Sequence, residues 1–167
     1  MTTLAIEIRP AEVPDAASLA AVHEASWREA YAGILPYRAL NSFISRRNTA
    51  WWVRTVRHAG VLVLEAGDEV VGYATYGRNR TGALPQGGEI FELYLLPEYQ
   101  GLGFGRRLFR AALQRLELIG AKGAIVWSIE DNDRAMDFYK AIGGKDVAEG
   151  TERFDGKVLN KVAFAFD

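Results

Sequence analysis

The chain contains no cysteine among its 167 residues, which excludes disulfides, thiolate metal sites and thiol nucleophiles. It also lacks an excess of either charge. Twenty Lys and Arg against 21 Asp and Glu leave a net charge of −1, so long-range attraction to nucleic acid or anionic lipid is not expected. Local basic clusters can still hold a small polyanion. No apolar run approaches the roughly 18–20 residues of a membrane span. The opening "MTTLAIEIRPAEVPDAASLA" has acids and a proline where a secretory signal needs a basic end and an apolar stretch. These absences point to a cytoplasmic protein with no membrane or nucleic-acid partner. With 49% hydrophobic and 25% charged residues, the expected organisation is one domain over residues 1–167.

What is present is an ordered alternation of elements. "LAIEIR" (4–9) reads as a first strand closed by Pro10. Pro14 and Asp15 open a helical stripe of Leu19, Val22, Trp27 and Tyr31 that ends at Gly33. Two short helices follow between Tyr37 and His58, with Trp51, Trp52 and Val56 as anchors. Residues 61–66 and 69–78 form a hairpin around Gly67–Asp68, and 89–96 a further strand. A helix over 104–119, a strand over 123–129 and a helix over 132–144 come next. Strands near 145–149 and 157–166 flank an Asp155–Gly156 turn. The order predicts a mixed α/β sheet with helices on its faces.

Between strand 89–96 and helix 104–119 lies "PEYQGLGFGRR", with glycines at 101, 103 and 105. A P-loop needs Lys followed by Ser or Thr, which are missing here. A dinucleotide fingerprint needs glycine at 106, where this chain has arginine, and an acid about 20 residues on, where "GAKGAI" has none. The remaining pattern is Gln100-x-x-Gly103-x-Gly105 with Pro97 upstream. Successive backbone N–H groups at a helix start form a donor cluster for a pyrophosphate, and glycines let that backbone come close. Arg106, Arg107 and Arg110 add positive charge beside it.

This pattern resembles the acetyl-CoA loop of the GCN5-related N-acetyltransferases (the GNAT superfamily). "NDRAMDFYKAIGG" (132–144) resembles the second signature of that superfamily through Asn132, Ala135, Tyr139 and Gly143–Gly144. Asn132 and Tyr139 are seven residues apart, so they share one helix face. The opening "IRPAEVPD" and "SWREAYAGILP" are similar to the same superfamily. The resemblance implies a mostly antiparallel sheet of six to seven strands, splayed between strands 89–96 and 123–129. It implies acetyl-CoA as co-substrate, an amine acceptor as partner, and no metal. Gln100, Gly101, Leu102, Gly103, Phe104, Gly105 and Arg106 would wrap the pyrophosphate. Asn132 would bond the pantetheine arm, and Tyr139 would protonate the departing thiolate. The backbone of Leu93, Tyr94 and Leu95 would pair with pantetheine and stabilise the oxyanion.

A lysine-like amine has a pKa of about 10.4, so freeing it at pH 7 costs about 4–5 kcal/mol and favours a base. Glu89, eleven residues before Gln100, is the first candidate, where some superfamily members place a glutamate. Glu92 is the second; strand alternation puts it on the opposite face from Glu89, so only one of them should face the acceptor cleft. His23, Trp27, Glu29, Tyr31 and Tyr37 are expected to line the acceptor cleft. A non-catalytic acyl-CoA-binding module on the same scaffold is the rival reading, and a nucleotide-binding domain the third. Oligomeric state is not encoded locally; a homodimer is the ordinary expectation.

Overall fold

The computed structural model describes residues 4–167. In chain order the elements are β1 (Ile6–Pro10), α1 (Ala16–Tyr31), α2 (Tyr37–Arg46), α3 (Thr49–His58), β2 (Gly60–Ala66), β3 (Glu69–Arg78) and β4 (Gly88–Leu95), then α4 (Phe104–Leu118), β5 (Ala124–Ile129), α5 (Asp133–Ala141), β6 (Lys145–Phe154) and β7 (Lys157–Phe166). The strands form one sheet in the order β1-β2-β3-β4-β5-β7-β6. Every neighbouring pair is antiparallel except β4–β5. This is the expected α/β class.

Helices cover both faces of the sheet, which is why "VLVL" (61–64) is buried without alternation. Leu62 and Leu64 pack with Leu108, Phe109, Ala112 and Leu116 of α4. Val61 and Val63 face Leu19 and Val22 of α1 and Trp52 of α3. Trp52 is in place because Asn48 caps α3, its Oδ1 accepting the Trp51 N–H at 2.9 Å. A third cluster joins Tyr31, Leu40 and Ile44 to Ile129, Phe154 and Leu159 at the far end of the sheet.

Two departures from regular strand geometry create the site. The parallel β4–β5 ladder holds only at Gly88–Ala124 and Glu89–Ile125, after which the strands diverge. The splay therefore lies where it was expected, and the rest of β4 has a free edge towards β5. In addition, the β3–β4 register slips between Thr75–Glu92 and Tyr76–Ile90, leaving Phe91 as an extra residue. A bulge of this kind breaks the two-residue alternation. Glu89 pairs with Gly77 and Glu92 with Thr75, so the two glutamates share one face. Placing Glu92 opposite Glu89 is thereby corrected.

β6 also runs to Phe154, five residues past its expected end. Its residues are largely solvent-facing, so no apolar alternation announces it; the ladder to β7 holds it instead. The Asp155–Gly156 turn joining them has positive φ at both residues, as a two-residue hairpin requires.

Candidate active site

One cavity, of about 540 Å³, opens in the splay. Its lining joins Leu93, Tyr94 and Leu95 of β4 to the following loop and to the first turns of α5. Gly101 and Gly103 have φ of +74° and +86°, in the left-handed region, and a side chain at either would meet open space. These glycines therefore shape the loop and leave its concave side bare. Gly103 occupies the N-cap of α4, where no side chain caps the helix. The N–H groups of its first turn lack helical partners and face the loop. Gly105 has a different cause: a Cβ there would meet the Phe138 ring at 3.2 Å, so it lets α4 approach α5. Gln100 steadies the loop by donating from Nε2 to the Leu95 carbonyl at 3.0 Å. Arg134 of α5 reaches across to Gln100 and to Glu29 of α1.

A second cavity, of about 570 Å³, lies between α1, α2 and strands β4–β7. Its walls are aromatic, among them Trp27, Tyr31, Phe43, Trp127 and Phe154. Glu89 and Glu92 both line it. Glu89 is only 1% exposed. Its carboxylate accepts from Arg80 Nη2 at 2.8 Å and from the Arg80 backbone N–H at 3.0 Å. Glu92 accepts from Arg47 Nη1 at 2.7 Å and lies 3.4 Å from the Tyr73 hydroxyl.

The two cavities share five residues: Leu93, Tyr94, Asn132, Ala135 and Tyr139. Asn132 caps α5 through Oδ1, which accepts the Ala135 N–H at 3.2 Å, leaving its amide NH₂ as a donor. Burial raises the phenol pKa of Tyr139, and the charges of Tyr31 and Glu92 add to the shift. Burial raises Tyr73 and Tyr94 too, with the Glu92 charge contributing to both. These phenols are therefore protonated donors at neutral pH. Burial opposes the Arg47 charge, but Glu92 more than restores it.

Residues 19–143 match the acetyltransferase (GNAT) family. The chain belongs to that family. It is 32% identical over 162 residues, 96% of this chain and 92% of the relative, to the uncharacterized N-acetyltransferase YuaI of Bacillus subtilis (strain 168). In fold it is similar to the PaiA N-acetyltransferase from Thermoplasma acidophilum in complex with coenzyme A, with a TM-score of 0.75 and 22% identity, covering 95% of this chain and 98% of that one. It is also similar to yncA from Salmonella typhimurium with its cofactor acetyl-CoA, with a TM-score of 0.70 and 19% identity over 97% and 93% of the two chains. This GNAT protein is an acetyl-CoA-dependent N-acetyltransferase. The bare loop, the uncapped α4 and the free β4 edge suit acetyl-CoA's pyrophosphate and amide-bearing arm.

Of the cofactor residues expected in this GNAT chain, Leu93, Tyr94, Leu95, Gln100, Gly101, Gly103, Gly105, Arg106 and Asn132 line the first cavity. Leu102 projects into solvent, and Phe104 packs towards Tyr99, so these two have only backbone to offer. On the acceptor side Trp27 and Tyr31 line the cavity as expected. His23 does not: it is 1% exposed, packed between Trp27 and Trp52. Tyr37 is 74% exposed and outside, and Glu29 stands at the cofactor cavity. Glu29 lies two residues from both Trp27 and Tyr31, about 200° round α1, and Tyr37 opens α2 on its exposed side. Phe43, Arg47, Arg80, Trp127, Phe154 and Lys161 line the acceptor cavity without having been singled out. They come from five different parts of the chain, so their convergence is set by the fold and not by local spacing.

Proposed function

We propose that this acetyltransferase moves the acetyl group of acetyl-CoA to a primary amine of a small molecule or peptide, by direct attack with both substrates bound. The observation that carries this reading is the junction, where a cofactor-shaped cavity and an aromatic cavity meet at Tyr139, Asn132 and the β4 backbone. The chain has no cysteine to carry the acetyl group between two half-reactions, which favours direct transfer.

Acetyl-CoA supplies a thioester carbonyl at which an uncharged amine exchanges the C–S bond for a C–N bond, releasing CoA. Backbone N–H groups of Leu93 and Leu95, the alternate residues that point to the free edge of β4, donate to the carbonyl oxygen as it gains charge. Gly101–Arg106 hold the pyrophosphate, and Arg106, Arg107 and Arg110 supply charge for the 3′-phosphate. Asn132 donates to the pantetheine arm. Glu92 takes the amine proton, directly or through a water. Glu89 ranks second as base, because Arg80 already supplies its carboxylate with donors from both backbone and guanidinium. Tyr139 donates to the sulfur as the C–S bond breaks. Its phenol is a weaker acid than a thiol of pKa about 8.5, so full proton transfer from it is uphill unless the proton is replaced. Glu92 gains the proton lost by nitrogen, Tyr139 shares its own with sulfur, and exchange with solvent restores both before the next turnover.

Release of CoA across a panel of amines and peptides tests the reading. At least one amine should be acetylated, and Tyr139→Phe should lower kcat about 100-fold with KM for acetyl-CoA unchanged. Tight acetyl-CoA binding with no turnover on any acceptor would overturn it.

A further inference from the structure

The acceptor cavity says more than "amine". Three cations and three carboxylates line it, and each is paired within the cavity. Arg47 meets Glu92 at 2.7 Å, Arg80 meets Glu89 at 2.8 Å, and Lys161 meets Glu152 at 3.1 Å. Pairing leaves neither sign unopposed, so which member of each pair a ligand can reach decides. We propose that the acceptor is an ω-amino carboxylate: its amine lies at the Glu92 end, and its carboxylate is held by Arg80 and Lys161. The proposal rests on the acetyl-transfer reading above.

The charges are arranged along the cavity with that polarity. Glu92 is next to Leu93 and Tyr94, at the junction with the cofactor cavity. Arg80 belongs to the other end, against Glu89 where β4 closes onto β5; Lys161 stands opposite Ile129 on β5, and its ammonium reaches back over Trp127, whose indole is bonded to Thr81 beside Arg80. There the Arg80 guanidinium lies over the Phe91 ring at 4.1 Å, and Lys161 Nζ over the Trp127 ring at 4.5 Å. In the Arg80–Glu89 pair the carboxylate is the buried member and the guanidinium side chain is 69% exposed. A ligand at Arg80 therefore meets the cation, whereas in the Lys161–Glu152 pair the carboxylate is the more exposed member, 47% against 23%. Glu152 takes one donor of the Lys161 ammonium, which has three.

The loop that presents Arg80 is built. Asn79 Oδ1 accepts the Thr81 N–H at 2.7 Å, and Asn79 Nδ2 donates to the Gln86 carbonyl at 2.7 Å. Trp127 Nε1 donates to Thr81 Oγ1 at 3.1 Å, tying the loop to β5 beside Lys161's aromatic partner. Arg80 is thus preorganised, which reduces the entropy lost on binding.

Spacing sets the length of the acceptor. From Glu89 to Leu93 is four strand steps, roughly 13 Å at about 3.3 Å per residue, less what the bulge removes. Arg80 and Lys161 reach inward across part of that span. An α-amino acid, with one carbon between its charged groups, cannot bridge the rest; a chain of several methylenes can, along the aromatic wall. The surrounding field agrees. Residues 30–64 contain no Asp or Glu and five arginines, at 38, 46, 47, 54 and 57. This segment includes α2, whose Phe43 and Arg47 form one wall of the cavity. Its excess positive charge favours approach of an anionic acceptor.

The test measures CoA release with acetyl-CoA and matched acceptors: 6-aminohexanoate, its carboxamide and hexylamine, alongside a broad amine and peptide panel. The carboxylate should exceed the carboxamide in kcat/KM by about tenfold or more, as expected for charge-assisted hydrogen bonds. High salt should raise KM for the carboxylate and leave the carboxamide unchanged. Lys161→Met, which keeps an unbranched side chain against Trp127, should raise the carboxylate KM about tenfold with kcat kept and the carboxamide KM unmoved. Equal or better use of the carboxamide or hexylamine would overturn the inference while leaving acetyl transfer standing. No turnover on the whole panel, with acetyl-CoA still raising Tm, would instead overturn the reading beneath it.

Discussion

The two cavities are of similar size and share a wall, yet they are made by different means. The cofactor side draws on two contiguous stretches, 93–106 and 131–142, plus part of α1. Its chemistry is largely that of the backbone: a free strand edge, a left-handed loop and an uncapped helix start. The acceptor side takes side chains from α1, α2, the β3–β4 loop, four strands and α5. A site built from backbone needs particular residues in a fixed local order. A site built from side chains needs only that distant elements converge.

The junction, which belongs to both cavities, should show the largest effects. Glu92→Gln removes the proposed base and retains a partner for Arg47. Its kcat should fall about 1,000-fold with little change in either KM, and raising the pH should restore part of the rate by freeing amine without a base. A Glu92→Gln enzyme of near-normal kcat beside a disabled Glu89→Gln would reverse the order of the two carboxylates.

Variants confined to one side should separate the two Michaelis constants. Gly103→Val places a β-branched residue at φ +86°, so KM for acetyl-CoA should rise about 10–100-fold, with KM for the amine unchanged. Gly103→Asn sharpens the point, since asparagine tolerates left-handed backbone. It should recover the lost stability but not the cofactor affinity, because its side chain still fills the phosphate side of the loop. On the acceptor side Phe43 packs against Phe154 at 5.3 Å and Trp27 at 6.1 Å between ring centroids. Phe43→Ala should raise the amine KM about fivefold and leave acetyl-CoA untouched. Steady-state kinetics with each substrate varied in turn reads all three.

The same division explains what was legible in the sequence. Element order and the glycine loop followed from local pattern, because turn chemistry and period are local properties, whereas the splay followed only from the resemblance to the superfamily. Asn132 and Tyr139 were singled out by the resemblance of residues 132–144 to the superfamily's second signature, and their seven-residue interval put them on one helix face. The Phe91 bulge was not: it appears only when β4 is registered against β3, and it alone puts Glu89 and Glu92 on one face. Arg80 and Lys161 read as ordinary surface cations until the fold sets them over Phe91 and Trp127. Glu29 and Tyr37 are polar or amphipathic residues on helices, and helical phase finer than one turn decided their side.

His23 gives the smallest effect and the cleanest separation of structure from acceptor binding. It is buried one helical turn before Trp27, and its Nδ1 has no partner among the described residues. Burial, assisted by the Arg47 charge, lowers its pKa from 6.5 to about 3. The folded protein thus keeps His23 neutral between those values, while the unfolded chain takes up a proton. Stability should therefore fall as pH drops from about 6.5 towards 3, by about 2 kcal/mol between pH 7 and pH 5. His23→Leu fills similar space without a titrating group or an orphaned nitrogen, so its unfolding free energy should change far less over that interval. Urea unfolding at the two pH values measures this, and parallel losses in both proteins would remove His23 as the cause. KM for the amine at pH 7 should be the same in both, since His23 lies beneath the acceptor wall and not on it.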